Sequence, residues 1–221
     1  MQNSQLILNF PRRQSLQPHE FMPMACNAEA LHALDRLLAA GHGVLYVYGQ
    51  SGVGKSHFLH VAAARLGTHP ILPEQLPPDP TQLNCAVIDA LEEADAAAQE
   101  RLFHLYNHIQ ARGGLLVVAA GMPARRLPLL ADLVSRLTTV EHIEMRPPDT
   151  AHLELLLVKL AADRQLELEP AVVRYMLRRA DRSPRALEAM LDALDAASLT
   201  AQKKVTIPLA RQVLEAAAGG R

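Results

Sequence analysis

Residues 44–56 read VLYVYGQSGVGKS. The opening VLYVY is an apolar run of strand character. The eight residues after it, Gly49, Gln50, Ser51, Gly52, Val53, Gly54, Lys55 and Ser56, fill every position of the pattern G-x-x-x-x-G-K-[ST]. A helix is expected from Lys55 to about Leu66, so the loop has the strand-before and helix-after context that phosphate binding needs. The glycines let backbone N–H groups wrap an anion, and the helix N-terminus adds partial positive charge. Lys55 would reach the β- and γ-phosphates, Ser56 would offer its hydroxyl to Mg²⁺, and His57 borders the loop as a further nucleotide-binding candidate.

Working outward, Cys85–Ile88 reads as a buried strand ending in Asp89, which suits a carboxylate for Mg²⁺ beside the loop. In hydrolytic sites a second acid usually follows at once to polarise water, and here the next residue is Ala90. Glu92 and Glu93 lie three and four residues beyond Asp89. They read as a charged, solvated face, because a water-polarising group must stand within hydrogen-bond reach of its water.

The spacing of Leu31, Leu34, Leu37 and Leu38 predicts a helix from Asn27, its N-cap, to the glycines at 41 and 43. The passage holding Pro70, Pro73, Pro77, Pro78 and Pro80 is a loop or short edge strand. Leu102, Leu105, Tyr106 and Ile109 mark another helix, and LLVVAA after Gly113-Gly114 is a fully buried strand. Strands alternating with helices predict a parallel α/β sheet. After Arg146-Pro147-Pro148-Asp149 all is helical: 150–165, 170–180, 184–200 and a last helix near Pro208. The expected division is an arm at 1–18, an α/β nucleotide-binding domain at 19–147 and a small all-helical domain at 148–221.

Of the 221 residues 49% are hydrophobic and 20% charged, which excludes a disordered chain, and the net charge of −1 gives no global basic field for duplex DNA. Arginine far outnumbers lysine, so any anion recognition is at discrete sites. Cys26 and Cys85 lack metal-ligand spacing and read as buried free thiols of a reducing compartment, the cytoplasm. No segment approaches the roughly 18 apolar residues that cross a bilayer, so no membrane partner is expected.

Together, QLILNF, GQSGVGKSHFLH, FHLYNHI, LADLVSRL and ASLTAQKKVTIP resemble the DnaA-related AAA+ family. The likeness is closest to its short Hda branch of regulatory inactivators and covers nearly the whole chain. It implies an AAA+ phosphate-loop domain followed by a helical lid, ADP or ATP as ligand with Mg²⁺ at Ser56 and Asp89, and the replication initiator DnaA as partner. Arg136 in LVSRL matches the arginine finger that one subunit inserts into its neighbour's ATP site. Arg185 in SPRALEAML matches the second sensor, and as a cation in a first helical turn it opposes the helix dipole, which makes sense beside an anion. Gln5, Leu6, Leu8 and Phe10 resemble the peptide that docks on the DNA polymerase III sliding clamp, with the apolar anchors on one side of an extended segment. The base pocket is expected to include residues 21–27 and part of the helical domain, with no diagnostic residue in either.

The departures matter equally. Ala90 stands where the initiator has an acid, Gly121 where the first sensor presents a polar side chain, and the Pro-rich passage is shorter than the family's. The implied function is a nucleotide-bound regulator that, with the DNA-loaded clamp, stimulates the initiator's ATP hydrolysis and has little or none of its own. An autonomous AAA+ ATPase or loader and a passive clamp adaptor are the alternatives. Sequence-specific DNA binding is not implied without the initiator's basic helix-turn-helix domain. ADP against ATP, and self-assembly, are left open.

Overall fold

In the computed structural model, residues 16–179, 183–201 and 204–218 are described. The chain forms two units, Leu16–Pro147 and a second that contains Pro148–Arg221. Gln5, Leu6, Leu8 and Phe10 lie outside the described residues.

In the first unit α1 (Ala28–Ala40), β1 (Gly43–Tyr48), α2 (Lys55–Leu66), β2 (Pro70–Ile71), β3 (Cys85–Ile88), α3 (Ala96–Arg112), β4 (Leu115–Ala120), α4 (Ala131–Leu137) and β5 (Glu141–Glu144) follow in order. The five strands form one sheet in the order β2-β3-β4-β1-β5, and every pairing is parallel. This is the expected α/β architecture. β1 lies inside the sheet between β4 and β5, in register with β4 from Gly43 opposite Leu115 to Tyr48 opposite Ala120. The strand that delivers the glycine loop is thus flanked on both sides.

Both faces of the sheet are covered, which is why its inner strands read as unbroken apolar runs. Val44, Tyr46, Ile88, Leu116 and Val118 pack with α3 residues Leu102, Leu105 and Ile109 on one face. Leu45, Val47, Val87, Val117 and Ile143 pack with Leu34 of α1 and Phe58 and Leu59 of α2 on the other. Tyr46, Leu45, Phe58 and Leu59 are fully buried, each contributing about 1.5–3 kcal/mol by removal from water.

Glycines in the left-handed region end three helices: Gly41 (φ 72) after α1, Gly67 (φ 68) after α2 and Gly113 (φ 72) after α3. Asn27 does stand at the N-cap of α1, but its side chain serves the turn before it. Its Oδ1 accepts from Met24 N at 2.8 Å and its Nδ2 donates to Met22 O at 3.0 Å. The amide is nearly buried, and these two bonds satisfy it. The Pro-rich passage yields the two-residue β2 and short 3-10 turns at Pro73–Gln75 and Pro80–Gln82. Neither cysteine is in a disulfide among the described residues, and both are half-buried rather than buried.

In the second unit α5 (Thr150–Ala162), α6 (Pro170–Leu177), α7 (Pro184–Ala201) and α8 (Ile207–Ala218) make the all-helical layer. Asp149 caps α5 by accepting from His152 N at 2.8 Å, and Ser183 caps α7 by accepting from Ala186 N at 3.2 Å. α5 stops short of the expected residue 165 because Gln165 turns left-handed (φ 58) and Leu166 N bonds back to Ala161 O. Arg164 then clamps α5 to α7, donating through Nε and Nη2 to Asp192 at 2.9 and 2.8 Å. No helix among the described residues is long and apolar enough to cross a membrane.

Candidate phosphate-binding site

The loop leaves β1 at Gly49, where no side chain fits: an added Cβ would meet Met145 O at 2.3 Å. Met145 N in turn donates to Tyr48 O at 2.7 Å, so the backbone after β5 closes on the end of β1. Gly52 (φ 83) and Gly54 (φ 98) lie in the left-handed region, and Gly54 is the N-cap of α2. No side chain caps that helix, so its first N–H groups are not taken by a side-chain acceptor. Such a cradle, left-handed at two glycines and opening on a helix N-terminus, fits a polyphosphate.

Lys55 Nζ donates to Gly49 O at 2.7 Å and to Gln50 O at 3.0 Å, so the ammonium lies over the loop. Burial holds its pKa below the ordinary lysine value, while the nearby carboxylates of Glu92 and then Asp89 pull it back up. Gln50, Ser51 and Ser56 are exposed, whereas Val53 is buried and roots the loop in the core. His57 is half-buried on the first turn of α2. Its Nε2 lies 2.9 Å from Gln17 O, and its ring meets Phe21 edge-on with centroids 5.2 Å apart. Phe21, in the segment expected to border a base, therefore packs on the loop's own helix.

Asp89 is half-buried at the end of β3, where its Oδ1 accepts from Ala90 N at 2.8 Å. Its charge is also felt by His60, whose pKa is lowered by burial first and by His57 second, with Asp89 opposing. His60 ends the quoted stretch GQSGVGKSHFLH but was not among the expected site residues. Among the described residues no group of three or more His, Cys, Asp or Glu is disposed to hold a metal. A Mg²⁺ at Ser56 and Asp89 would complete its shell with phosphate oxygens and water, as this ion usually does.

Glu92 departs from the sequence reading. Glu93 is exposed, as expected of a solvated face, but Glu92 is half-buried and its Oε1 accepts from Gly121 N at 2.8 Å. The reason is local. Ala90 adopts a left-handed conformation (φ 50, ψ 49) before the 3-10 turn Leu91–Glu93, which sinks Leu91 into the core and swings Glu92 toward β4. A non-glycine residue held there is a strained feature of the kind that gathers at functional sites.

Arg136, on α4, lies against α3. Its guanidinium carbon is 4.7 Å from the centre of the Phe103 ring and 5.8 Å from that of Tyr106. It has no ion pair among the described residues. Phe103 was not among the residues that marked the α3 stripe; an aromatic residue just off a buried stripe was the available signal. Arg185 is exposed in the first turn of α7.

The strictness of the loop at its first glycine gives a test. Gly49→Ala should destabilise the fold by about 1–3 kcal/mol, the usual cost of overpacking, because its only relief is to part β1 from the backbone after β5. A thermal melt followed by circular dichroism checks this, and an unchanged midpoint would contradict the close approach.

Comparison with known proteins bears on the fold and on the helical unit. Residues 149–214 match the family model described as "Hda, lid domain". The chain is similar in structure to domain III of the replication initiation protein DnaA from Thermotoga maritima, with a TM-score of 0.80 and 20% identity over 93% of this chain and 98% of that one. It is similar to AMPPCP-bound DnaA from Aquifex aeolicus at a TM-score of 0.71 and 17% identity, covering 85% of this chain and 67% of that one. The Holliday junction branch migration motor RuvB of Thermotoga maritima matches with a TM-score of 0.71 and 18% identity, covering 86% of this chain and 68% of that one. At these identities the structural likenesses establish the fold, which a motor and an initiator share.

Proposed function

We propose that this chain, whose residues 149–214 match the Hda lid-domain model and whose fold is that of DnaA domain III, is a nucleotide-bound regulator of the replication initiator DnaA. Gly49–Ser56 and His57 bind the phosphates of ADP or ATP, Ser56 and Asp89 hold Mg²⁺, and Arg185 of the helical lid adds a cation toward the nucleotide. In this reading bound nucleotide supplies anionic charge that organises the loop. The reacting phosphoryl group belongs to the initiator. Arg136 enters the initiator's site and stabilises charge on that group, so that ATP-bound initiator is converted to the ADP form and re-initiation is repressed. A regulator of chromosomal initiation works in the cytoplasm.

The supporting observation is the state of Arg136. A half-buried guanidinium stacked on Phe103, with no carboxylate partner among the described residues, is a cation held in place without an anion of its own. Its stem packs while its head remains open to solvent, so the charge is available to an anion from outside the chain. The alternatives are an autonomous motor or loader and a passive clamp adaptor. Measuring ATP turnover by the chain alone, then with the initiator, separates them: the regulator accelerates only the mixture, the motor turns over alone, and the adaptor does neither.

Coupling to replication is assigned to Gln5, Leu6, Leu8 and Phe10, which would dock on the sliding clamp loaded on DNA. Replacing Gln5, Leu6 and Phe10 together with alanine is expected to remove clamp binding while leaving a nucleotide-dependent rise in thermal midpoint intact. Wild-type clamp affinity in the triple variant would refute this role.

A further inference from the structure

Residues 174–185 carry five arginines and one aspartate in a chain whose net charge is −1, so the rest of the molecule is acidic on balance. Three of the five, Arg174, Arg178 and Arg179, lie at and just past the C-terminal end of α6, and all three are exposed. Arg178 N donates to Arg174 O at 3.3 Å, which keeps a helical turn between them and sets both side chains on one face. Arg179 stands one turn after Tyr175, and its guanidinium carbon is 4.2 Å from the centre of that ring. Tyr175 is itself buried, so Arg179 is laid on a fixed support. None of the three has an ion pair among the described residues.

A helix C-terminus favours a cation, and one arginine there would need no other explanation. Arg174 and Arg178, however, are like charges one turn apart, which repel, and no ion pair among the described residues offsets this. The apolar residues interleaved with the arginines point the other way. Val172, Val173, Tyr175, Met176 and Leu177 are all buried, and none of the exposed large apolar side chains lies on α6. The face thus offers charge with no apolar anchor. A peptide partner docks through buried anchors and a membrane surface takes up an apolar helix face, so neither has a foothold here. A phosphodiester backbone needs only cations, and the guanidinium fork matches its paired oxygens.

We infer that Arg174, Arg178 and Arg179 form a sequence-independent contact with the phosphate backbone of duplex DNA. Each guanidinium takes the place of condensed counterion at one phosphate, so the contact weakens steeply with salt and ignores the base sequence. The duplex is favoured over a single strand by its denser charge. Arg185, exposed on α7, is assigned to the nucleotide and is not counted. The contact itself rests on no nucleotide site and on no action of Arg136. Its use rests on the regulator reading: a chain tethered to a clamp on DNA meets the duplex at high effective concentration, so a weak three-arginine contact suffices to orient it.

The test uses the full chain alone, without clamp or initiator. Fluorescence anisotropy of two labelled duplexes, equal in length and unrelated in sequence, is followed against protein up to about 10⁻⁴ M, the weak end of sequence-independent binding. Salt is varied between about 50 and 200 mM. Three phosphate contacts predict a slope of log affinity on log salt of about −2.7, hence roughly a 40-fold loss across that range, alike for both duplexes. A chain carrying Arg174→Gln, Arg178→Gln and Arg179→Gln should have that slope flattened by about 2.7, while the three lysine replacements should preserve it, because the charge remains. The glutamine variant should keep its fold and its rise in thermal midpoint with ADP, since these side chains are exposed and lie outside the glycine loop. Absence of saturable wild-type binding at the lower salt overturns the proposal. So does a glutamine variant with the wild-type slope, or a preference of about tenfold or more for one duplex. Tighter binding to polyglutamate or to anionic lipid vesicles than to the duplex would give the surface to another partner and overturn it as well. DNA binding that follows these arginines in a wild type indifferent to ADP and ATP would fail the nucleotide site alone and uphold this contact.

Discussion

Arg136→Ala is expected to lower the stimulated ATP turnover of the initiator by about 10³- to 10⁵-fold, the range over which an arginine supplied in trans acts on phosphoryl transfer. The variant should otherwise look ordinary. Arg136 is half-buried and its stack on Phe103 has about the value of an exposed cation–π contact, ~0.5–1 kcal/mol, so the thermal midpoint should fall by no more than about 4 °C. Nucleotide affinity should not change, because the guanidinium lies on α3 and not over the loop. Arg136→Lys is the sharper control. It keeps the charge but loses the planar fork that spans two phosphate oxygens, and it should recover little of the lost stimulation. Stimulation assays and melts on the same preparations check both variants, and near-wild-type stimulation by Arg136→Ala would show the finger assignment to be wrong.

The second large effect is at Lys55. A ligand that binds only the folded chain stabilises it by mass action, by about 2.7 kcal/mol at a hundredfold excess over its dissociation constant. For a protein of this size that is a rise in midpoint of roughly 5–11 °C. Lys55→Ala should abolish that rise for ADP and ATP alike, since Nζ is the loop's own cation and now rests on the carbonyls of Gly49 and Gln50. The midpoint without nucleotide should change little, because those two bonds are to loop carbonyls at a half-buried site. Differential scanning fluorimetry across a nucleotide titration reads the effect. A wild-type midpoint indifferent to a large excess of both nucleotides would contradict the site.

Why Lys55 was visible in the sequence and Glu92 was not is a matter of where each finds its partners. The loop declares itself because glycine is demanded locally: Gly54 by a left-handed backbone and Gly49 by a carbonyl in contact. The bounds of α2 and the buried runs of β3 and β4 were legible for a similar reason, since apolar content on both faces leaves few alternatives. β5 went unread because only Ile143 of Glu141–Glu144 points into the core, and its charged neighbours resemble a loop. Arg36 of α1 pairs with Glu141 across that edge, a contact no local pattern encodes. Glu92 is the extreme case. Its partner is a backbone N–H 29 residues away, and the only trace of the pairing is an absent side chain at Gly121. The split between Glu92 and Glu93 likewise depends on the backbone turn at Ala90, which nothing in the residue types announces.

The most direct measurement follows the nucleotide on the initiator itself. ATP-loaded DnaA is mixed with sliding clamp loaded on DNA and a substoichiometric amount of this chain, and the ADP-bound fraction is read over time. Rapid conversion is predicted only when clamp and wild-type chain are both present, with Arg136→Ala as slow as the mixture lacking the chain. Conversion that is no faster with the wild-type chain than without it, or equally fast with Arg136→Ala, would contradict a regulator acting through Arg136.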